Sequence, residues 1–118
     1  MAETYKRLSG KVGNGTIATA STLYTVPSIS TVISSVVICN TGTSSGTYSL
    51  AISQTTAFGT SGDGGAGIGG YIVYQAPIAA NDTIILSLGI TLDATNKYLL
   101  FSSSAATITF NVFGVEIS

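Results

Sequence analysis

The chain has 118 residues, four basic and five acidic, with a formal net charge of -1 and 45% hydrophobic residues. Charged residues make up 8% of the sequence, against about a quarter in a typical soluble domain, and such a nearly neutral surface favours association with other proteins. The low cationic content argues against sequence-independent nucleic-acid binding, which needs several clustered basic residues.

Residues 1–15 are predicted to form an extended basic N-terminal arm, because three of the four basic residues lie here and several glycines interrupt regular structure. Two interpretations are open: a frayed terminus, the usual state of chain ends, or an arm that becomes ordered on a partner. In the second interpretation, Tyr5 and Leu8 anchor the arm on the partner and the three cations contact its acidic residues. The candidate partner-binding residues are Tyr5, Lys6, Arg7, Leu8 and Lys11.

Residues 16–118 are predicted to form one all-β domain, because β-branched and aromatic residues alternate with Ser and Thr between turn-forming clusters. The spacing of the turns is typical of an antiparallel β-sandwich, which we expect to be jelly-roll-like. About seven strands are predicted, at residues 22–26, 31–40, 47–53, 71–75, 83–90, 98–102 and 107–117.

The segment 31–40 is apolar on both faces, which predicts a central strand covered on both sides and makes Cys39 a small core residue. Asn81 and Asp82 follow a Pro-containing stretch and predict a turn in which their side chains bond the backbone and left-handed geometry is tolerated. Gly89 interrupts an apolar run and predicts a bulge or bend.

A glycine-rich loop is predicted at residues 56–70, and its end, TSGDGGAGIGG (60–70), contains the pattern GxGxxG twice. A dinucleotide site would need a strand before this pattern and a helix after it, whereas a strand follows here. Two interpretations remain, a flexible surface connection and a loop that becomes ordered only against a neighbour.

The sequence contains few residues of the types that form catalytic sites. There is no histidine and only one cysteine, so histidine-based triads, Cys–His dyads and the usual zinc ligand sets have no counterpart. The five acidic residues are scattered, with no sign of a carboxylate pair. We therefore predict no catalytic, cofactor-binding or metal-binding residue and expect a non-enzyme.

The sequence also lacks the marks of export and membrane insertion. The N-terminus has no apolar core of a signal peptide, and no apolar run approaches the ~20 residues that span a bilayer. We expect a protein made in the cytoplasm that has no membrane partner.

A sugar-binding module is the alternative from a different functional class. Such sites stack a sugar ring on an exposed aromatic side chain, and tryptophan is absent here. Tyr71 alternates away from the apolar face of its strand and is the first candidate, with Tyr24 and Tyr98 as further ones. A tyrosine in a strand is more often a half-buried packing residue with its hydroxyl in water.

Several segments, taken in order, resemble small β-sandwich virion proteins of tailed bacteriophages. They are TLYTVP (22–27), a strand ending in ICNT (38–41), PIAANDTIILSLGITLDATNKYLLFSSS (77–104) and ITFNVFGVEI (108–117). The resemblance covers most of residues 22–117, and the glycine-rich loop is an insertion relative to it.

The resemblance implies a structural protein of the virion and no catalytic residues. Such proteins include capsid cement or decoration proteins, which oligomerise on the outer capsid and clamp adjoining major capsid proteins through many repeated weak contacts. We expect a homo-oligomer on the capsid surface, a trimer in preference to a dimer, whose arm lies on the major capsid protein. Deletion of residues 1–12 is then expected to abolish capsid binding and leave the sandwich folded. A tail, baseplate or fibre-associated protein and a carbohydrate-binding adhesion module remain as alternatives.

Overall fold

The computed structural model describes residues 3–17, 19–27, 30–53, 71–93 and 98–117, which form an all-β fold. Within these ranges there is no helix, and hence none long and apolar enough to cross a membrane. The eight strands are β1 (Glu3–Val12), β2 (Ser21–Thr25), β3 (Ser30–Asn40), β4 (Gly46–Ser53), β5 (Tyr71–Ile78), β6 (Thr83–Asp93), β7 (Tyr98–Ser103) and β8 (Ile108–Ile117).

The strands form two four-stranded sheets in which every pairing is antiparallel. Sheet I has the order β1-β8-β3-β6, and sheet II has the order β2-β7-β4-β5. One hydrophobic core draws buried side chains from both sheets. The architecture is therefore consistent with the predicted β-sandwich.

Aromatic side chains join the two sheets at the centre of the core. Phe110 of sheet I is fully buried, with its ring centroid 4.8 Å from that of Phe101 and 6.3 Å from that of Tyr48, both in sheet II. The Tyr48 ring meets Phe110 edge to face, one of the arrangements that aromatic pairs prefer. Burial of such large apolar surfaces is the main term that stabilises the fold.

The prediction that residues 31–40 form a central strand is confirmed, because β3 lies between β8 and β6. Its alternation is interrupted by a register shift between Ile33 and Ser35, so that Ile33 and Val36 both face the core. Cys39 lies between two buried neighbours of the strand and is only half-buried. The prediction that it is a core residue is wrong, because its side chain belongs to the outer face of sheet I.

Glycine and asparagine occupy the two special backbone positions that the sequence indicates. Gly89 has a φ of 72° and lies in β6 opposite the register shift of β3, so the predicted bulge is confirmed. Asn81 has a φ of 58°, and the Asp82 carboxylate accepts a hydrogen bond from the Thr83 amide, as the predicted turn requires. The glycine-rich loop, residues 56–70, lies outside the described residues.

The segment predicted to be an extended arm is, over Glu3–Val12, an edge strand of sheet I. It pairs with β8 at nine positions, and the Gly13 amide continues the pairing with a hydrogen bond to the Ile108 carbonyl. The β8 backbone offers a row of hydrogen-bonding groups that an extended segment satisfies, and this outweighs the interruption by Gly10. The described strands therefore number eight, where about seven were predicted, and the additional one is β1.

Candidate partner-binding surfaces on the two edges of sheet I

The five residues predicted to bind a partner all lie on β1, which presents them to different sides of the sheet. Tyr5 is 61% exposed and belongs to the outer face, where its hydroxyl lies 3.5 Å from the Ser34 hydroxyl. Leu8 is half-buried and packs against the core, so it is an anchor of the strand itself rather than of a partner. The structure thus brings the predicted residues together on one strand and divides their roles.

Lys6 is an internal ion-pair partner. Its Nζ lies 3.0 Å from the Glu116 Oε1, with the two side chains 50% and 29% exposed. The other oxygen of Glu116 accepts a hydrogen bond from the buried Tyr24 hydroxyl, which also lies 3.0 Å from the Thr31 Oγ1. These four residues connect β1, β8, β2 and β3, and we call them the Glu116 network.

The Glu116 network shifts the proton affinity of both acidic groups in it. The hydrogen bond from Tyr24, followed by the one from Lys6, lowers the pKa of the Glu116 carboxyl because both favour its charged form. Burial, followed by the hydrogen bond to Glu116, raises the pKa of Tyr24 to about 12. The network is thus most stable with Glu116 ionised and Tyr24 neutral, which is its state at neutral pH.

Arg7 and Lys11 line an open cavity of 280 Å³ together with Gly10, Val12, Thr109 and Asn111. We call it the β1 pocket. The Arg7 guanidinium donates a hydrogen bond to the Asn111 Oδ1 at 3.4 Å. Among the described residues, no carboxylate forms an ion pair with Arg7 or Lys11, in contrast to Lys6. Two positive charges are therefore available to an anionic group from outside this part of the chain.

The opposite edge of sheet I is β6, which has an apolar inward row and a single charged residue, Asp93, at its end. The inward row of β6 is half-buried at four of its five positions, and Ile85 on the outer face is 66% exposed. No charged residue occurs from Thr83 to Leu92. In the described part of the chain, β6 has a partner strand on one side only. The half-buried row consists of Ile84, Leu86, Leu88 and Ile90.

Sequence reasoning predicted a strand at residues 83–90 and did not identify it as an edge of the sheet. The signal in the sequence is an apolar strand of this length without Lys, Glu or Pro, the residues that usually protect an exposed edge. Which strand occupies the edge of a sheet follows from the topology, and alternation within one strand does not report it.

The tyrosines predicted for sugar binding fall into different environments. Tyr24 is 7% exposed and belongs to the Glu116 network, so its prediction as an exposed platform is wrong. Tyr98 is half-buried. Tyr71 is half-buried on β5, with its ring centroid 4.8 Å from that of Tyr74, which is 61% exposed and meets it edge to face.

No protein-family model matches this chain, and no curated protein is similar to it. Across the described ranges there is also no cluster of three or more Cys, Asp or Glu side chains placed to hold a metal ion. The candidate sites are therefore the two edges of sheet I and the Tyr71–Tyr74 pair, argued from their own geometry.

Proposed function

We propose that this chain is a non-enzymatic structural protein of a tailed-phage virion, a capsid cement protein that oligomerises on the outer capsid and binds the major capsid protein. The observation that carries the proposal is the difference between the two edges of sheet I. One edge, β1, presents two cations without carboxylate partners in the described chain, and the other, β6, has an apolar row and no charged residue from Thr83 to Leu92. A clamp needs two such surfaces, one for copies of itself and one for the lattice it binds.

The order of the strands supports a jelly-roll assignment. In β1-β8-β3-β6 and β2-β7-β4-β5, each strand is followed along the chain by a strand of the other sheet, except that β4 is followed by β5 in the same sheet. Eight strands in two facing sheets of this kind form the jelly roll, an architecture that occurs in viral capsid proteins and lectins. This likeness of fold is an analogy, and it suggests both a virion role and a sugar-binding role for the chain. The resemblance of residues 22–117 to small virion proteins favours the first.

Self-association is assigned to the β6 edge. This strand of eleven residues pairs with β3 on one side, and no other described strand pairs with it, so its edge is a template for a further strand. A neutral, apolar edge gains most from an equally neutral partner, and a second copy of β6 supplies one by two-fold symmetry. The half-buried row of β6 then becomes fully buried. The expected trimer instead requires that each β6 edge meets a different surface of its neighbour around a three-fold axis, whereas β6 paired with β6 gives a dimer.

Substitution of Ile85 tests this assignment. Ile85→Lys places a charge on the β6 edge and is expected to convert the oligomer into monomers, measured by sedimentation equilibrium. Val12→Lys is the matched control, because Val12 is 62% exposed against 66% for Ile85 and lies on the opposite edge. A monomeric wild type, or an Ile85→Lys variant that remains as oligomeric as Val12→Lys, contradicts self-association through β6.

A tail, baseplate or fibre-associated role remains the structural alternative, since the same two surfaces serve any symmetric assembly. The two roles differ in location. A cement protein binds empty capsids that lack tails, whereas a tail component does not. Cosedimentation of the purified protein with tailless capsids therefore separates them, and failure of the wild type to cosediment contradicts the cement role.

Carbohydrate binding is a second candidate, favoured by the Tyr71–Tyr74 pair. Tyr74 is exposed and held edge to face against Tyr71, which gives a fixed aromatic surface of the kind on which a sugar ring stacks. Tyr74→Ala is expected to abolish glycan binding in an array experiment if this surface is used. Tyr5→Ala is the control, because Tyr5 is equally exposed at 61% on the other sheet. Absence of any glycan signal for the wild type removes this candidate.

A further inference from the structure

The β1 pocket has a composition that favours an anion. The residues that line it include the cations Arg7 and Lys11 and the amide residue Asn111, and no acidic residue. Thr109 takes no part as a donor, because its hydroxyl lies 3.3 Å from the Cys39 carbonyl and donates to it. Arg7 pairs in register with Phe113 and Lys11 with the buried Phe110, so Arg7 is the primary donor and Lys11 adds positive charge from the other face of the same edge strand.

The positive charge of Arg7 is not neutralised by a carboxylate of the described chain, because β1 places Lys6 and Arg7 on opposite faces of the sheet. Lys6, one residue before Arg7, belongs to the opposite face and is neutralised by Glu116 at 3.0 Å. Arg7 has only the neutral Asn111 Oδ1 as a hydrogen-bond acceptor among the described residues, at 3.4 Å. A carboxylate that replaces this neutral acceptor adds an opposite charge and can accept two parallel N–H···O bonds from the guanidinium.

Gly10 leaves room for the Arg7 and Asn111 side chains to meet over the strand. A Cβ at this position would lie 2.8 Å from the Asn111 Oδ1 and 3.1 Å from the Arg7 Cζ, closer than ordinary contacts allow. Gly10 and Asn111 are directly opposite each other in the two paired strands. The glycine that interrupts the basic segment in the sequence thus permits the position that the Arg7 guanidinium takes at the pocket.

We propose that the β1 pocket binds the carboxylate of an Asp or Glu side chain of a neighbouring protein, which in the proposed function is the major capsid protein. The planar guanidinium of Arg7 matches a carboxylate in two-point contact, and Lys11 supplies a second charge. A nucleic-acid backbone requires a track of several cations, and a chain of net charge -1 with two available cations at this site does not provide one. The identity of the partner rests on the proposed function, whereas the chemistry of the pocket does not.

The pocket is tested by nuclear magnetic resonance titration of the full-length wild-type protein with the capped peptide acetyl-Gly-Glu-Gly-amide. We expect saturable shifts of the Arg7, Gly10 and Asn111 signals. The isosteric peptide acetyl-Gly-Gln-Gly-amide is expected to cause none. The double variant Arg7→Gln/Lys11→Gln is expected to bind the Glu peptide about tenfold more weakly or worse, since it loses two charge-assisted contacts.

Two single variants serve as controls for the peptide titration. Lys6→Gln removes one positive charge on the opposite face of the same strand and is expected to bind like the wild type. The single variant Lys11→Gln changes one exposed side chain, and it replaces the double variant in the titration if the double variant does not fold. Equal shifts with the Gln peptide, unchanged affinity of both pocket variants, or tighter binding of inorganic phosphate or a short oligonucleotide than of the Glu peptide overturns the proposal.

Binding of the same variants to capsids separates this proposal from the proposed function. If the wild type binds the Glu peptide but neither it nor the variant cosediments with capsids, the pocket stands and the cement role fails. If the wild type cosediments but does not bind the Glu peptide, the pocket assignment fails and the cement role stands.

Discussion

The carboxylate of Glu116 holds Lys6 with one oxygen, at 3.0 Å from its Nζ, and the Tyr24 hydroxyl with the other. Lys6 belongs to edge strand β1 of sheet I and Tyr24 to edge strand β2 of sheet II. A single carboxylate at the end of β8 therefore connects the adjacent edges of the two sheets. The segment that sequence reasoning assigned to a partner is in part fixed to its own domain by this contact.

Glu116→Gln is expected to lower the free energy of unfolding by about 1 kcal/mol at neutral pH, because the pair with Lys6 is partly exposed. The pKa of Glu116 is lowered in the folded state, so its contribution is present above about 4.5, the ordinary value, and is lost as pH falls through the folded value. Urea unfolding of both proteins from pH 7 to pH 3 checks this. We expect the stability difference to narrow below about pH 4.5, and a constant difference contradicts the role of Glu116.

Tyr24→Phe removes a buried hydroxyl that bonds both Glu116 and Thr31, and is expected to cost about 1–2 kcal/mol at neutral pH. The pKa of Tyr24 is raised to about 12, so its contribution is fully present below pH 10 and is lost as pH rises through 12. The stability gap between wild type and variant should therefore narrow from pH 10 upward in denaturant unfolding. Parallel curves over that range are the contrary result.

Gly89→Ala is expected to destabilise the fold by about 1 kcal/mol, since a left-handed backbone disfavours a Cβ. Gly89 has a φ of 72°, and a Cβ there would meet no atom within 4 Å, so the backbone alone sets this cost. Gly89→Asn is the matched variant, because asparagine tolerates that conformation. It should lose clearly less stability than Gly89→Ala. Thermal unfolding of both variants measures the effect, and equal losses would mean that side-chain packing, not backbone strain, is responsible.

Deletion of residues 1–12 is expected to destabilise the domain. The deletion removes a strand that pairs with β8 at nine positions, and with it the ion pair between Lys6 and Glu116. It also removes Leu8, which packs against the core, and so exposes apolar surface. A truncated protein that binds no capsid therefore does not identify the binding residues, which is why point variants of Arg7 and Lys11 are used instead. Far-ultraviolet circular dichroism during denaturation measures the change. A truncated protein as stable as the wild type would show that β1 is dispensable for folding.

The central part of the fold is predictable because its signals are local. Alternating apolar side chains locate β4 and β8, the doubly apolar segment identifies β3 as a central strand, and single residues such as Asn81 and Gly89 mark the special backbone positions. Periodicity and turn chemistry are therefore sufficient to locate these strands and turns along the chain.

The edges are less predictable because they depend on contacts between distant strands. In β1, the long side chains of Lys6 and Arg7 reach solvent from opposite faces, so no apolar alternation reveals the strand. In β3, the register shift between Ile33 and Ser35 reverses the face of every residue that follows. In β6, an apolar row that resembles a core face is half-exposed because the strand ends its sheet. The five residues predicted to bind a partner lie on one strand, and their division into structural and available cations required the fold.

Cryo-electron microscopy of purified virions that carry this protein tests the central claim most directly. The account predicts density for the two-sheet domain at many copies over the outer capsid lattice, with β6 edges facing one another and the β1 edge against the major capsid protein. Density confined to the tail, or capsid density in which the β1 edge faces solvent, would contradict it.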